Sequence, residues 1–387
     1  MWDLLVWDKN KKKLINNRHE REKTLFLPQR NSCFNMKPCR FILVVVFFIA
    51  VFASCTTDVD IYAEYKDVPI IYAMLDFRAD TNYIKITRAF CGTNDNPINA
   101  NDVALIYDSS NYPGKLDARI IELESTNGGS YHPTGREIVL DTITKHNKEE
   151  GVFYSPDQLF YYTTEQFKSG TNGKRYKYKL IVVKPDGDTV TAQTSMVGNE
   201  EFRIATSKVS FQLAPSDELG QIVFKADGMA SLYDVKMQFN YSEHNGNQEV
   251  KWKHISRSFG TKPIDEYRQV EGSPNLYYLE YSVNWLFNAL ANAIGGDTIV
   301  NENHPNVIRH IGDFVISISA GGKELYVYYL ANQAQLNSPM SLVTSYSNIE
   351  GGYGLFSSRT TINKTTGLSY YATRDLFSVT AWGFKEQ

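Results

Sequence analysis

Residues 174–196 read KRYKYKLIVVKPDGDTVTAQTSM, and this stretch restricts the fold more than any other. Tyr176, Tyr178 and Leu180 fall on one side of an extended chain, with Lys177 and Lys179 on the other. That period of two fits a half-buried strand and not a helix. Pro185-Asp186-Gly187 supplies a turn, because proline presets φ and glycine accepts a positive one. The predicted unit is an antiparallel hairpin, 174–183 against 188–196. A second hairpin follows the same logic. Tyr233, Val235, Met237, Phe239 and Tyr241 alternate with Asp234, Lys236, Gln238 and Asn240. An Asn-Gly turn at 244–247 then leads into 249–258.

Around these hairpins the chain reads as mainly β. Strands are predicted at 69–75, 83–90, 102–107, 117–124, 137–144 and from 153 to 164, with a short turn of helix within 158–167. Short strands at this density suggest an immunoglobulin-like β-sandwich over residues 62–199. A second antiparallel β-rich domain is expected over 200–387, with one or two inserted helices. One helix covers 282–294, where Val283, Leu286, Phe287, Leu290 and Ile294 recur near helical spacing. Ser282 can cap it and Gly295-Gly296 can stop it. Strands follow at 313–319, 353–362 and 375–384. Between them KELYVYYLANQAQL fits a strand or a helix, and Leu325, Tyr328, Tyr329 and Leu336 favour the helix.

The first 61 residues read differently. Phe41 to Ala53 form an uninterrupted apolar run of 13, short of the roughly 20 residues a membrane-spanning helix needs. Lys37 and Arg40 precede it, and Ala53, Ser54 and Cys55 follow. This is a signal peptide over 36–54 ending in a lipobox. Small residues let the peptidase approach the backbone, and the Cys55 thiol takes a diacylglycerol. Met36 then starts the signal, and residues 1–35 are expected to be a mis-called extension; a basic cytosolic tail is the alternative. Residues 55–61 form a lipidated tether. Asp58 and Asp60 resemble a surface-export signal of Bacteroidota lipoproteins, while an ordinary soluble tether explains them equally, so the membrane face stays open.

Processing changes the charge. The whole chain carries −3, but the segment up to Ser54 holds 10 basic and 4 acidic residues, which leaves 30 against 39 and a net charge of −9. An acidic body of this kind is a poor partner for nucleic acid. Only Cys55 and Cys91 remain of the four cysteines, so no intramolecular disulfide is expected, and Cys91 reads as a small buried hydrophobe.

Sites that need defined spacings are missing from the sequence. It has no His-Glu-x-x-His, no Cys/His cluster, no Gly-x-Ser-x-Gly elbow and no phosphate-cradling glycine loop. His304 and His310 fit no common metal spacing. The expectation is no enzyme, no metal and no cofactor beyond the acyl anchor on Cys55. Three Asp-Thr-aliphatic triplets, at Thr142, Thr189 and Thr298, match the O-glycosylation acceptor of Bacteroidota; strand starts after turns explain them as well. Adjacent tyrosines at 161–162, 277–278, 328–329 and 370–371 would place one ring on each side of a strand, which suits either recognition or ordinary packing.

The segment Ser347-Asn348-Ile349-Glu350-Gly351-Gly352-Tyr353-Gly354-Leu355-Phe356 carries a resemblance. Asn-Ile, a glycine-rich turn and Gly-aliphatic-Phe resemble the C-terminal motif of a Bacteroidota outer-membrane lipoprotein family, domain of unknown function 4249. YKLIVVKPDGDTVTAQTSM is similar to that family's central hairpin, and PIIYAMLD with YIKITRAF to its opening strands. Asn348, Ile349, Gly351, Gly352, Gly354 and Phe356 are the residues that match. By their own conformational freedom, the glycines suit a tight corner that delivers Leu355 and Phe356 to a core. The resemblance implies a lipoprotein of the cell envelope, lipid-anchored in the outer membrane. It would act as an accessory or substrate-capture partner of a TonB-dependent transporter. A fimbrillin-like surface or adhesion subunit is the alternative.

Overall fold

The computed structural model describes residues 67–89, 110–151, 154–171, 173–245, 249–294, 307–337 and 346–386. The leader, the tether, the strand expected at 102–107, and Gly295-Gly296 lie outside the described residues. The described part belongs to one compact unit, Ile61–Gln387.

The first strands are β1 (Pro69–Leu75), β2 (Asn82–Arg88), β3 (Asp117–Thr126), β4 (His132–Val139), β5 (Asp141–Lys145), β6 (Gln158–Thr163), β7 (Lys174–Val183) and β8 (Thr189–Ser195). Next come β9 (Arg203–Ile204), β10 (Lys208–Val209), β11 (Leu219–Lys225), β12 (Ala230–Asn245), β13 (Lys251–Pro263), β14 (Arg268–Gln269) and β15 (Leu276–Ser282). The C-terminal elements are helix α1 (Trp285–Ile294), β16 (Val307–Gly322), α2 (Lys323–Asn337), β17 (Ile349–Glu350), β18 (Tyr353–Leu368) and α3 (Tyr370–Ser378). The protein is mainly β, in several largely antiparallel sheets.

A nine-stranded sheet runs β13-β12-β16-β18-β1-β2-β6-β5, with β10 also on β18. A five-stranded sheet runs β17-β8-β7-β3-β4, and a four-stranded one β14-β15-β11-β9. Strand β18 holds the long sheet together. Its residues 353–358 pair in parallel with β1, and residues 359–366 pair antiparallel with β16.

The hairpin β7–β8 shows why the pattern folds as it does. Tyr176, Tyr178, Leu180 and Val182 are buried, and the alternate lysines are not. At the turn, Lys184 N donates to Asp188 O at 2.8 Å and Gly187 takes φ +89°. The Lys184 ammonium closes the loop on Asp186 and Asp188 at 2.7 and 3.3 Å.

Two hydrophobic cores pack against the long sheet, with Phe356 of β18 in the first and Ile362 of β18 in the second. In the first, Ile71, Leu75, Ile84 and Ile86 meet Ala118, Ile120, Tyr178, Leu180 and Val190 of the five-stranded sheet, with Phe356 among them. The corner between the layers is Leu140, fully buried, whose N–H donates to Ala118 O at 2.9 Å. It divides the single strand expected at 137–144 into β4 and β5, which lie in different sheets. The second core joins Val235, Met237, Phe239, Phe314 and Ile316 to Ile222 and Phe224. Helices α1 and α3 complete it through Leu286, Leu290, Ala372 and Leu376.

Each region also buries a carboxylate. Glu122 continues the inward face of β3 and is fully buried. Lys168 and Arg136 reach its carboxylate oxygens at 2.7 and 3.1 Å, and the Thr134 hydroxyl donates at 3.1 Å. Burial pushes this carboxyl up, but the hydrogen bonds from Lys168, Arg136 and Thr134 outweigh it and hold it below the usual carboxylate range. Asp227 has no such cations. It accepts from Gly198 N at 2.6 Å, Asn199 Nδ2 at 2.8 Å and Met229 N at 3.2 Å. Burial dominates there, and its carboxyl rises above the usual range. These bonds tie the connection after β8 to the start of β12.

Three sequence expectations are corrected. Residues 375–384 do not form a strand; α3 covers 370–378, with the Ser369 hydroxyl accepting from Ala372 N, and Ala372 and Leu376 share its buried face. The short helix expected within 158–167 is replaced by β6, where Tyr161 and Thr163 face inward. Ser282 ends β15 and does not cap α1, which starts at Trp285. Asn284 fixes that start, donating to Gln212 O at 2.7 Å and Ala214 O at 2.6 Å and accepting from Ser216 N at 2.9 Å.

Candidate functional site

The outward face of β1 and β2 is the floor of a trough. In each strand the odd-even alternation that buries Ile71, Ala73, Ile84 and Ile86 sends Tyr72, Met74, Tyr83 and Lys85 outward. Tyr72 is 46% exposed and Tyr83 36%, large values for rings at the centre of a sheet. Outward residues of β6 extend the floor. Phe160 lies 6.0 Å from Tyr83 edge-on, and Tyr162 lies 6.4 Å from it.

Three depressions open onto this floor, of about 370, 640 and 340 Å³. Tyr72 lines all three. The first runs between Tyr72 and Tyr83 toward Asp76 and Arg359. The largest runs past Lys85 and Thr87 to Lys148, Tyr154 and Gln158. The third lies against α2, bounded by Tyr328, Asn332, Tyr346 and Tyr353. Tyr328 meets Tyr72 edge-on with ring centres 6.5 Å apart. Volumes of this size fall within the range of small-ligand sites.

Cations sit among the rings. Lys85 Nζ donates to Leu159 O at 3.0 Å and lies 4.8 Å from the centre of the Phe160 ring. Burial, with the Lys148 ammonium nearby, lowers its pKa to about 8. Lys145 Nζ stands 3.7 Å over the Tyr83 ring. Burial, reinforced by Tyr328, raises the Tyr72 phenol. A charged ammonium held by a neutral carbonyl and ring faces is incompletely compensated. The arrangement can therefore hold a ligand that brings both a flat apolar face and negative charge.

The motif at 347–356 builds one end of this trough. Asn348 clasps Phe356 at both backbone groups: Phe356 N donates to Asn348 Oδ1 at 2.9 Å, and Asn348 Nδ2 donates to Phe356 O at 2.7 Å. Ile349 is buried and places β17 on β8. Gly351 turns the chain at φ +82°. Gly354 sits at φ +122°, where a Cβ would overlap the Ile71 carbonyl oxygen. A Cβ on Gly352 would come within 2.6 Å of Pro69 O. Only glycine lets β18 lie this close to β1. Leu355 and Phe356 are buried, and Tyr353, 58% exposed, stands at the trough's edge.

The other sequence-singled residues lie elsewhere. Cys55, Cys91, Thr298 and His304 are outside the described residues. Thr142 is half-buried in β5, while Thr189 is exposed at the start of β8. Among the tyrosine pairs, 161–162 divides across a strand, with Tyr161 in the core and Tyr162 on the trough floor. Tyr370 and Tyr371 are both exposed, at 75% and 64%, because they open a helix. Sequence reasoning passed over Tyr72 and Tyr83. Their signal was the large side chains on the outward positions of two strands whose inward positions were already apolar.

Among the described residues no group of three His, Cys, Asp or Glu side chains is placed to hold a metal ion. Among them, too, no helix is long and apolar enough to cross a membrane. No protein-family model matches the chain, and no curated protein does.

Proposed function

We propose that the chain is a lipid-anchored outer-membrane protein that captures a ligand for, or assembles with, a TonB-dependent transporter. The anchoring half of this reading rests on the signal ending at Cys55 and on the resemblance in residues 347–356. The trough over β1 and β2 carries the capture half. A folded sheet does not need exposed rings at its centre, and here they line three adjoining depressions. The finer architecture belongs to the same proposal: an immunoglobulin-like sandwich over 62–199 and a second β-rich domain over 200–387. Face-to-face packing of the five-stranded sheet on the β1–β2 layer supports the sandwich.

The test is a gentle detergent pulldown from native membranes. One TonB-dependent barrel should co-purify with the wild-type chain and not with Cys55→Ser. Recovery of no transporter overturns the partnership.

One observation favours a second reading, a polymerising surface subunit of the fimbrillin type. Strand β13, 13 residues long, pairs only with β12 among the described residues and ends the nine-stranded sheet. A free edge of that length is a template for another strand. Ordered filaments of the full chain in electron micrographs would favour this reading; monomers would reject it.

A further inference from the structure

We propose that the trough binds an anionic oligosaccharide, with its sugar rings on Tyr72 and Tyr83 and its acidic groups toward Lys85 and Arg359. The inference rests on the capture reading and names the ligand class for that site.

Four features carry it. First, the site has several compartments: three depressions share the Tyr72 ring, which fits a ligand of several units better than a single small molecule. Second, the floor offers part-exposed aromatic rings, Tyr72 at 46% and Tyr83 at 36% with Lys145 over one face of Tyr83, and such rings are the surface on which the apolar face of a pyranose packs. Third, neutral hydroxyl and amide groups are spaced between the rings. Thr81, Thr87, Gln158 and Asn332 line the depressions, and a saccharide can meet such groups as donor or acceptor along its length. Thr87 and Asn332 already donate to the Ile70 and Tyr328 carbonyls, so it is their remaining donor and acceptor capacity that an acyl chain would leave unmet.

The fourth feature is charge. Lys85 and Arg359 lie in adjoining depressions, and neither forms an ion pair among the described residues. Among the described residues, the carboxylates of the lining, Asp76 and Asp157, make no ion pair with either cation. Asp157 is held by His146 at 2.6 Å, and Asp76 Oδ1 accepts from Arg78 N at 3.0 Å. Lys85 is half-buried, its ammonium directed to the Leu159 carbonyl and the Phe160 ring. An anion arriving there would supply the missing countercharge in a partly desolvated setting, where it counts for more than in water. The protein's acidic net charge makes this cationic patch a selective feature and not a general attraction to polyanions.

The experiment is isothermal titration of the full chain in detergent with three probes of matched length: an oligogalacturonate, a sulfated chondroitin oligosaccharide and neutral maltoheptaose. An oligoglutamate is the fourth probe. At least one acidic saccharide should bind ten-fold or more tightly than maltoheptaose and than oligoglutamate. A carboxylate or sulfate preference then identifies the acid. Tyr72→Ala and Arg359→Gln should each weaken that binding at least ten-fold while keeping the wild-type circular dichroism spectrum. Tyr72→Phe should restore it, because the ring and not the hydroxyl is the platform. Equal affinity for oligoglutamate, preference for maltoheptaose, or unchanged binding by both variants overturns the proposal. So does the failure of both acidic saccharides to bind at millimolar concentration. A transporter recovered in the pulldown with no saccharide bound here would sink this inference and leave the partnership standing.

Discussion

The two faces of β1 and β2 are made by the same fourteen residues and have opposite characters. Inward, Ile71, Leu75, Ile84 and Ile86 are at most 1% exposed. Outward, Tyr72, Tyr83 and Lys85 remain open to solvent or half-covered. Each inward aliphatic contributes about 1.5–3 kcal/mol by burial, whereas the outward rings are only partly withdrawn from water. The inner face thus sets stability, and the outer face is free to serve recognition. If that division is real, substitutions should separate into two groups by size of effect.

The largest effect belongs to the seam that holds both faces together. Gly354→Ala places a methyl group against the Ile71 carbonyl at φ +122°. Backbone of two neighbouring strands cannot give as a flexible side chain would, so β1 and β18 must separate. The expected loss exceeds about 4 kcal/mol, read as failure to recover folded protein. A Gly354→Ala chain that melts like the wild type would show that the parallel pairing does not support the trough.

Next comes the interior. Phe356→Ala removes a fully buried ring from the first core and should cost about 3–5 kcal/mol in denaturant unfolding. Glu122→Gln should cost about 1–3 kcal/mol, because it removes the charge-assisted bonds from Lys168 and Arg136, although both cations keep contact with solvent and Arg136 keeps Glu165. The pH dependence distinguishes this residue. Its folded carboxyl is depressed, so its stabilisation is present above the usual carboxylate range and is lost as pH falls through the folded value. Wild-type stability should therefore drop on acidification below about pH 4, and the drop should be smaller in Glu122→Gln. Equal slopes for the two chains would remove Glu122 from the account.

Much of the inner face was legible in the sequence. The β7–β8 hairpin carries a strict alternation and a Pro-Asp-Gly turn, and β12 shows its inward residues as plainly. The corner at Leu140 was not legible. Nothing in EIVLDTIT marks where a strand leaves one sheet for another, since the change is set by Ala118 on a distant strand. The C-terminal helix was misread for a related reason. SVTAWGF has strand-like composition, but Ser369 caps α3 upstream, the helix runs to Ser378, and Thr380–Trp382 then form a 3-10 turn closed by Gly383 at φ +66°. The trough was the least legible part. Its floor comes from β1, β2 and β6 and its walls from Lys148, Tyr154 and Asp157 and from α2, so no local spacing records it. The glycine motif was visible as a corner; that it brings Tyr353 to the trough follows only from the parallel register of β18 on β1.

The smallest expected effect tests the division most sharply. Tyr72→Ala should change stability by no more than about 1 kcal/mol, the scale of one edge-on aromatic contact. Its ring touches Tyr328 of α2, and a double-mutant cycle with Tyr328→Ala isolates that contact. Helix α2 supplies few anchors of its own: none of its side chains described here is fully buried, and Leu330 is 43% exposed. If the coupling energy reached about 2–3 kcal/mol, at the top of the range for contacting residues, Tyr72 would be a structural strut that holds the helix. The outer face would then be part of the core by another name. A coupling near 0.5–1 kcal/mol leaves Tyr72 as a ring that the fold can spare, which is the property a recognition surface requires.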